Sequence, residues 1–339
     1  MELCCGMDLH SSNTVIGIID EKRNRVIDRK LPNDPDLIRS FLKPFKSGLK
    51  GVVVESTYNW YWLVDLLQGE GYQVHLSHPV ANEQYKGLKH SNDKHEAFWL
   101  AELLSLGILK EGYIYPRQIR SLRDVLRKRA HLVQVRTALI VSLQHIVRRN
   151  CGVKVKTGDI KRLTGDLISP FLNKDEALWL AGKTSKEAID CLTHQIDQIE
   201  AWALKRLQRE GIFALLITLP GVGDILGMTI LMETGPIGRF RKAGNFASYC
   251  RKVSSQWTSN DKVKGRGNLK NGNKYLAWAF SEAAEHARRT DEACRRFYDR
   301  KLRHTNPKVA HNALAHKLAR AAYYIMKDHV PYQEEKMFS

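Results

Sequence analysis

Hydrophobic residues fall in short runs through the first 79 residues, which is the pattern of β-strands rather than long helices. Three short strands separated by polar turns occur within residues 3–31, and another is predicted at 72–79. The uninterrupted run GVVVES at residues 51–56 is typical of a strand buried on both faces. Helical spacing predicts helices at residues 34–45, 58–71 and 93–104. The resulting series, β-β-β-α-β-α-β-α, predicts a mixed α/β domain, in the strand order expected of a ribonuclease-H-like domain.

Beyond residue 116 the pattern becomes almost wholly helical. Residues 117–149 carry one long apolar stripe at helical spacing, and residues 185–210 carry a second. Two such helices are typical of a coiled coil or helical spacer, and an ordinary two-helix cap on a globular domain fits them equally well. A Gly-, Asn- and Lys-rich stretch and three further helices follow. The predicted domains span residues 1–112, 113–212 and 213–339.

Charge is distributed unevenly along the chain. Lys and Arg number 54 against 36 Asp and Glu, a net charge of +18. The whole excess lies beyond residue 112, where 41 basic residues face 21 acidic ones. This asymmetry favours a nucleic-acid partner for the C-terminal two thirds of the chain.

Composition also excludes several classes of protein. No apolar run approaches the roughly 18 to 20 residues of a membrane span. The first ten residues, MELCCGMDLH, lack the layout of a secretory signal, and six cysteines without a C-x-x-C pair suit a reducing compartment. We therefore expect a cytoplasmic protein without a membrane partner.

Four carboxylates stand at positions suited to metal-dependent phosphoryl transfer. Asp8 ends the first predicted strand, Glu55 ends the valine-rich strand, and Asp93 and Glu96 begin a helix on one of its faces. Carboxylates at adjacent strand ends and a helix start can hold two Mg²⁺ or Mn²⁺ ions roughly 4 Å apart. Asp93 also fits a second interpretation, a helix cap with Glu96 as its capping-box partner. Glu55 is harder to explain structurally, because a buried unpaired carboxylate is costly.

The segment LITLPGVGDILG is similar to a helix-hairpin-helix, a turn whose backbone amides bind a phosphate of DNA or RNA. Gly221 and Gly223 would provide the tight turn and would allow the backbone to come close to the DNA or RNA strand. A plain corner between two helices fits the segment equally well, since P-G-V-G is a common turn.

Residues 236–274 form the densest basic region, with ten Lys and Arg residues against Asp261 alone. Its glycines and asparagines predict a flexible segment, and its aromatic residues could stack on bases. A solvated loop is the other interpretation, but long stretches of this composition inside a folded domain more often serve binding. The predicted nucleic-acid contacts in this region are Lys262, Lys264, Arg266, Lys270 and Lys274.

Taken in order, these motifs resemble the DEDD-type transposases of bacterial insertion sequences in the IS110 family, which includes the Piv invertases. GMDLHSSNTV, VVVESTYNW and NDKHEAFWLAELLSLGIL match the blocks of its RuvC-like domain. LPGVGDILGMTIL, GRFRKAGNFASYC and the segment TSNDKVKGRGNLKNGNKYLAWAFSEAA match its C-terminal transposase domain, and NGNKYLAWAF and AHKLARAAYY look most like the IS1111 subgroup. The resemblance implies a RuvC-like domain, a helical coiled-coil spacer and a mostly helical transposase domain.

The resemblance also implies which residues carry the chemistry. The acidic tetrad of metal ligands would be Asp8, Glu55, Asp93 and Glu96. The family usually has Asp at the fourth place, so Glu96 departs from the pattern. A nucleophilic serine of the family matches Ser259, with Ser254 and Ser255 nearby. Attack of such a serine on a phosphodiester conserves the bond energy in a phosphoserine, which agrees with the absence of a Gly-x-x-x-x-Gly-Lys motif.

Family members use a structured bridge RNA, whose two loops pair with donor and target double-stranded DNA. They form homodimers that assemble into tetramers through the helical spacer. We therefore predict an RNA-guided DNA recombinase of the bacterial cytoplasm, associated with the nucleoid. Two other functions stay open: a RuvC-like hydrolytic junction nuclease in which Ser259 is idle, and a catalytically dead nucleic-acid-binding protein.

Overall fold

The computed structural model describes residues 2–78, 82, 93–162, 172, 175–253, 256–260, 262–266 and 271–338. The chain divides into two compact units, Met1–Ile114 and Tyr115–Ser339. Across the helices of the described ranges, none combines the length and the apolar character needed to cross a membrane.

The first unit is a five-stranded sheet covered by helices. Its elements are β1 (Leu3–Leu9), β2 (Asn13–Asp20), β3 (Arg25–Pro32), α1 (Pro35–Leu42), a single 3-10 turn (Lys43–Phe45), β4 (Leu49–Glu55), α2 (Tyr61–Gly69), β5 (Val74–Ser77) and α3 (Asp93–Ser105). The strand order is β3-β2-β1-β4-β5. Strand β1 pairs antiparallel with β2 and parallel with β4, which in turn is parallel to β5. The predicted mixed α/β domain is confirmed.

The central strand β1 divides the core of this unit between the two faces of the sheet. Its odd-numbered residues pack with α1 and α2 in one hydrophobic cluster. Its even-numbered residues face α3, where Cys4 lies in a cluster with Phe98 and Ala101. Gly6 makes this second face unusually tight, because a Cβ at Gly6 would lie 1.9 Å from the Ala97 carbonyl oxygen. The even-numbered face of β1 therefore lies directly under α3.

The second unit is mostly helical, as predicted. Its elements are α4 (Arg117–Cys151), α5 (Thr157–Arg162), α6 (Glu176–Leu207), α7 (Gly211–Leu216), α8 (Asp224–Thr234), a 3-10 turn (Ile237–Arg239), α9 (Ala243–Tyr249), β6 (Gln256–Ser259), β7 (Lys262–Arg266), α10 (Lys274–Thr290), α11 (Glu292–Leu302), α12 (Pro307–Asp328) and α13 (Glu334–Phe338). Helix α6 begins nine residues before the predicted start, at a point where the Asp175 carboxylate accepts a hydrogen bond from the Leu178 amide.

The two long helices α4 and α6 pack antiparallel within one chain. Arg129 Nε donates to Glu200 Oε1 at 2.7 Å, and Arg136 Nη1 donates to Thr193 Oγ1 at 3.1 Å. At one end of the pair, Leu126 shares a hydrophobic cluster with residues of α6, α7 and α8. The pair is therefore a helical hairpin that is anchored on the rest of the second unit.

Part of the stretch predicted as a flexible loop is an antiparallel β-hairpin. Strands β6 and β7 pair with Ser259 opposite Lys262, and Asn260 follows with φ 51° in the left-handed region that a tight turn uses. The sequence did not predict these strands, because β6 has only four residues and β7 contains Lys and Gly, which are depleted in strands.

A buried carboxylate, Glu233, joins three helices of the second unit. At the end of α8, its Oε1 accepts from Arg127 Nε at 2.6 Å, and its Oε2 accepts from Arg123 Nη2 at 3.0 Å. Asn273 Nδ2 donates to the same Oε2 at 2.6 Å, while its own Oδ1 caps α10. Burial alone would raise the pKa of Glu233, but the hydrogen bond from Arg127 and the charge of Arg123 outweigh it and lower the pKa.

Replacing Glu233 by Gln should lower the free energy of unfolding by about 3 kcal/mol or more, because buried guanidinium groups lose the carboxylate that balances them. Urea denaturation at pH 7, followed by circular dichroism, measures the change. Glu200→Gln is the matched control, since the partly exposed Glu200–Arg129 pair should contribute less than about 1 kcal/mol. Equal losses in the two variants would contradict the role of Glu233.

Candidate active site

Two acidic side chains leave the sheet at the same edge. Asp8 is the penultimate residue of β1 and Glu55 the last of β4, and the register pairs Met7 with Val54 directly before them. Because the two strands are parallel, both carboxyl ends lie at one edge of the sheet. Asp8 is almost completely buried, at 1% exposed, and Glu55 is half-buried. The Asp8 Oδ2 atom is buried and has no hydrogen-bond partner among the described residues.

Helix α3 brings a third carboxylate to this edge. Asp93 is the first residue of α3, and His10 Nε2 lies 3.3 Å from Asp93 Oδ2 and 3.2 Å from Asp8 Oδ2. The ligand atoms of Asp8, His10 and Asp93 all lie within 4.8 Å of one another. Lys30 Nζ lies 3.7 Å from Asp93 Oδ2 at the exposed side of the cluster.

Electrostatics set this cluster apart from an ordinary surface group of acids. Burial raises the pKa of Asp8 to about 8, and the hydrogen bond with Glu55 and the charges of Glu55, Glu96 and Asp93 act in the same direction. Glu96 itself is exposed on α3. The carboxylates of this cluster repel one another, and a hard divalent cation that binds their oxygens would remove this repulsion. The residues present therefore fit a metal site.

His10 is the member of this cluster that the sequence did not predict. It lies two residues after Asp8, beyond the end of β1. The two-residue period of a strand places positions 8 and 10 on one face, so the D-x-H spacing was the available signal. An imidazole nitrogen beside two carboxylates could be a further metal ligand or could orient the two carboxylates.

Ser259 lies in the second unit, on an exposed edge. It ends β6 and is opposite Lys262, so the pleat places its hydroxyl on the same face of the hairpin as the Lys262 ammonium group. The register shifts between Val263 and Gly265, so Lys264 is the extra residue of a bulge. All three side chains are exposed. Backbone pairing places Arg266 at the far end of β7, opposite Gln256.

The remaining predicted contacts are divided between described and undescribed parts of the chain. Lys274 is the first residue of α10, with its ammonium 5.2 Å from the centre of the Tyr275 ring. Ser254, Ser255 and Lys270 lie outside the described residues.

The two glycines of the P-G-V-G turn differ in what surrounds them. Gly221 has φ 76°, and a Cβ there would lie 2.1 Å from the Ala283 carbonyl oxygen of α10. Gly221 is therefore needed for helix packing, whatever it contacts in solution. Gly223 precedes α8 with ordinary φ −96°, and a Cβ there would meet no atom within 4 Å. Its backbone is open to solvent.

Three cations of the basic region make interior contacts instead of forming a binding loop. Arg239 Nε donates to the Thr234 carbonyl at 3.0 Å. Arg251 donates to the carbonyls of Asn271 and Gly272 at 2.9 and 3.1 Å. Buried Lys252 donates to Ser281 Oγ at 2.6 Å. The interpretation of residues 236–274 as one basic binding segment is therefore wrong at these three positions.

Two family models match the chain. A transposase model of the DEDD type from the IS110 family matches residues 5–151. A model for transposases of the IS116/IS110/IS902 family matches residues 213–299. The two matches cover about two thirds of the chain. The chain belongs to the IS110 family of transposases. No curated protein matches it.

Membership of the IS110 family explains the acidic cluster. The DEDD-type match includes Asp8, Glu55 and Asp93, and a domain of this type implies the use of a divalent metal ion. The second match includes Ser259. As an IS110-family transposase, the protein acts on DNA, and the family predicted from the sequence motifs is confirmed.

The contrast between the two turn glycines gives a test of their packing roles. Gly221→Ala should lower the free energy of unfolding by about 2 kcal/mol or more, because the methyl group meets backbone and φ is positive. Gly223→Ala should cost less than about 1 kcal/mol, the usual loss at a helix N-cap. Thermal and urea unfolding of both variants measure this difference, and a stable Gly221→Ala protein would contradict the packing role.

The raised pKa of Asp8 predicts how pH acts on the metal-free protein. Between about pH 4 and pH 8 the unfolded chain loses the Asp8 proton while the folded chain keeps it. The free energy of unfolding should therefore fall as pH rises through this window, with a slope approaching about 1.4 kcal/mol per pH unit for one proton. Urea denaturation at pH 5 and pH 8 with a chelator present measures the fall.

Asp8→Asn should remove this slope, whereas Asp20→Asn, at the partly exposed end of β2, should keep it. Mg²⁺ at pH 8 should stabilise the wild type and leave Asp8→Asn unchanged, since the ion binds the ionised carboxylate. A wild-type stability that rises from pH 5 to pH 8 without metal would refute the assignment.

Proposed function

We propose that this IS110-family transposase exchanges DNA strands through a phosphoserine formed on Ser259, assisted by metal-bound Asp8, Glu55 and Asp93. The observation that carries the proposal is the convergence of carboxylates on buried Asp8, whose raised pKa reflects a site that needs a cation. Glu96 acts on Asp8 through its charge, and the longer Glu arm could still reach a metal.

The acidic cluster would hold the ion and orient the scissile phosphate. A bound Mg²⁺ or Mn²⁺ would supply positive charge to the attacking and leaving oxygens. Asp8 must be ionised to serve as a ligand, so its proton is displaced when the site is loaded. His10, within 3.3 Å of both aspartates, would fix the carboxylate positions.

Ser259 would make the covalent bond to DNA. Its Oγ attacks the phosphorus, and the bond between phosphorus and the oxygen of the leaving DNA strand breaks. The departing oxygen takes up a proton and becomes a free hydroxyl. The hydroxyl of the partner strand then attacks the phosphoserine, restores a phosphodiester and returns the proton to Ser259. Lys262, on the same face of the hairpin as Ser259, and the exposed Lys264 two residues further on would stabilise charge on the non-bridging oxygens.

A structured bridge-type RNA would guide the reaction by pairing with donor and target DNA. The excess of basic residues beyond residue 112 supports binding of a polyanion such as this RNA. Two copies would associate through the α4–α6 hairpin, which carries exposed apolar side chains on its outer surface. These side chains are Val135, Val141, Trp179, Leu180 and Trp202. Exposed apolar groups of this number on one hairpin favour contact with a second copy and assembly to a tetramer.

The proposal predicts a covalent protein–DNA adduct that depends on Ser259. Wild type, incubated with guide RNA, Mg²⁺ and cognate DNA, should retain labelled DNA on a denaturing gel. Ser259→Ala should give no adduct while still binding DNA, because the attacking hydroxyl is gone. Thr258→Ala is the matched control: the neighbouring exposed hydroxyl lies on the other face of β6, so its adduct should persist.

Other outcomes would redirect the assignment. Metal-dependent cleavage without any adduct would indicate hydrolysis by the acidic cluster alone. An adduct that survives Ser259→Ala but disappears in Ser254→Ala or Ser255→Ala would show that one of those two serines is the nucleophile. Normal adduct formation by Asp8→Ala would contradict the metal centre.

A further inference from the structure

A basic groove lies on the second unit, away from the Ser259 hairpin in sequence. It runs between the segment that leads into α9 and the last turns of α12. Its polar lining is Arg241, Lys242, Asn245, Arg320, Tyr324 and Lys327. We call it the α12 groove. It continues along α12 into a second recess, which shares Arg320 and Tyr324 and adds Lys317 and Lys336.

The spacing on α12 explains why these side chains share one face. Lys317, Arg320, Tyr324 and Lys327 follow one another by three, four and three residues, so they form a row along the helix. The opposite face carries alanines and leucines of the main core, including Ala315, Leu318 and Ala322. Because the opposite face of α12 is packed in the core, the orientation of the row is fixed.

The cations of the α12 groove lack the acidic partners found on other helices. Arg288 and Arg289 pair with Glu285 on α10, and Arg296 pairs with Glu292 on α11. In the part of the chain that the structure describes, Arg241, Lys242, Arg320 and Lys327 form no ion pair. Their positive charge is left for an external anion.

Neighbouring cations also repel each other here. Burial lowers the pKa of Lys317, and the charges of Arg320, Arg300 and Lys301 lower it further. Asp328 is the acidic residue in the lining of the second recess. A polyanion laid along the row would relieve this repulsion.

An aromatic ring stands in the middle of the row. Tyr324 is 46% exposed, and its ring meets the Tyr323 ring edge-on, with centroids 5.3 Å apart. Tyr323 is buried and donates its hydroxyl to the Phe240 carbonyl at 3.1 Å. The exposed ring is thus supported from below and flanked by Arg320 and Lys327, which is the arrangement of a stacking platform beside phosphate contacts.

We infer that the α12 groove binds a single strand of DNA, with phosphates on Arg241, Lys242, Arg320 and Lys327 and a base stacked on Tyr324. A stacking ring favours an unpaired strand, because a duplex keeps the faces of its bases hidden. The inference rests on the proposed function, since a phosphoserine step frees one strand next to the protein. The groove would hold that strand while its partner is exchanged.

Fluorescence anisotropy of the full-length protein with labelled oligodeoxythymidine tests the inference. Tyr324→Ala should weaken binding about tenfold with an unchanged salt dependence, and Tyr324→Phe should bind as wild type. Arg320→Ala with Lys327→Ala should weaken binding at least tenfold and reduce the slope of log affinity against log salt by about 1.4, or 0.7 for each charge. Arg289→Ala with Arg296→Ala, which removes two exposed but paired cations, should change affinity less than about twofold.

Three results would overturn the inference. Unchanged affinity in the groove variants would show that the α12 groove does not bind DNA. Equal losses on single-stranded and duplex DNA would exclude the stacked base. Selective loss of oligouridine binding would assign the groove to RNA. The covalent-adduct assay is independent of all three, so a normal adduct with a failed groove test would leave the proposed function standing.

Discussion

The first unit depends on the contact between helix α3 and strand β1 at Gly6. Any side chain there would collide with the Ala97 carbonyl at 1.9 Å, so the helix lies on the strand only because Gly6 has no Cβ. Gly17 on the next strand allows the Phe98 ring to approach in the same way, with a Cβ at 2.9 Å from the ring. This close packing fixes the first turn of α3, and with it the position of Asp93 beside Asp8. The geometry of the acidic cluster thus follows from the packing of small residues beneath the helix.

The pKa values of two buried carboxylates, Asp8 and Glu233, are shifted in opposite directions. Glu233 is surrounded by guanidinium and amide donors from its own unit, so its charge is satisfied by the fold and its pKa is lowered. Asp8 is surrounded by other carboxylates, and its pKa is raised to about 8. A buried acid with internal cations stabilises the structure, whereas a buried acid among acids requires a cation from outside. The contrast separates Glu233, which stabilises the fold, from Asp8, which belongs to the candidate metal site.

Local patterns in the sequence predicted most of the fold and the carboxylates of the site. The uninterrupted valine run before Glu55 indicated a strand buried on both faces, and the position of Asp8 at a neighbouring strand end followed from the same logic. What the sequence could not show were contacts between distant segments. Glu233 binds Arg123 across 110 residues, and no periodicity reports such a pair. Lys252 resembled other cations of a flexible segment, but tertiary packing buries it, which composition alone does not reveal.

The hydrogen bonds from Arg251 to Asn271 and Gly272 have a consequence for how this protein can change in evolution. They tie together the two ends of the segment that carries the Ser259 hairpin, and the Asn273 amide adds a bond to the Tyr249 carbonyl beside them. A segment closed at its base tolerates a longer loop at small cost in free energy, because the entropic cost of closing a loop grows only slowly with its length. Insertions into the Ser259 hairpin should therefore leave the hydrogen bonds of Arg251 and Asn273 in place. The length of the hairpin can therefore change separately from the stability of the helices that carry it.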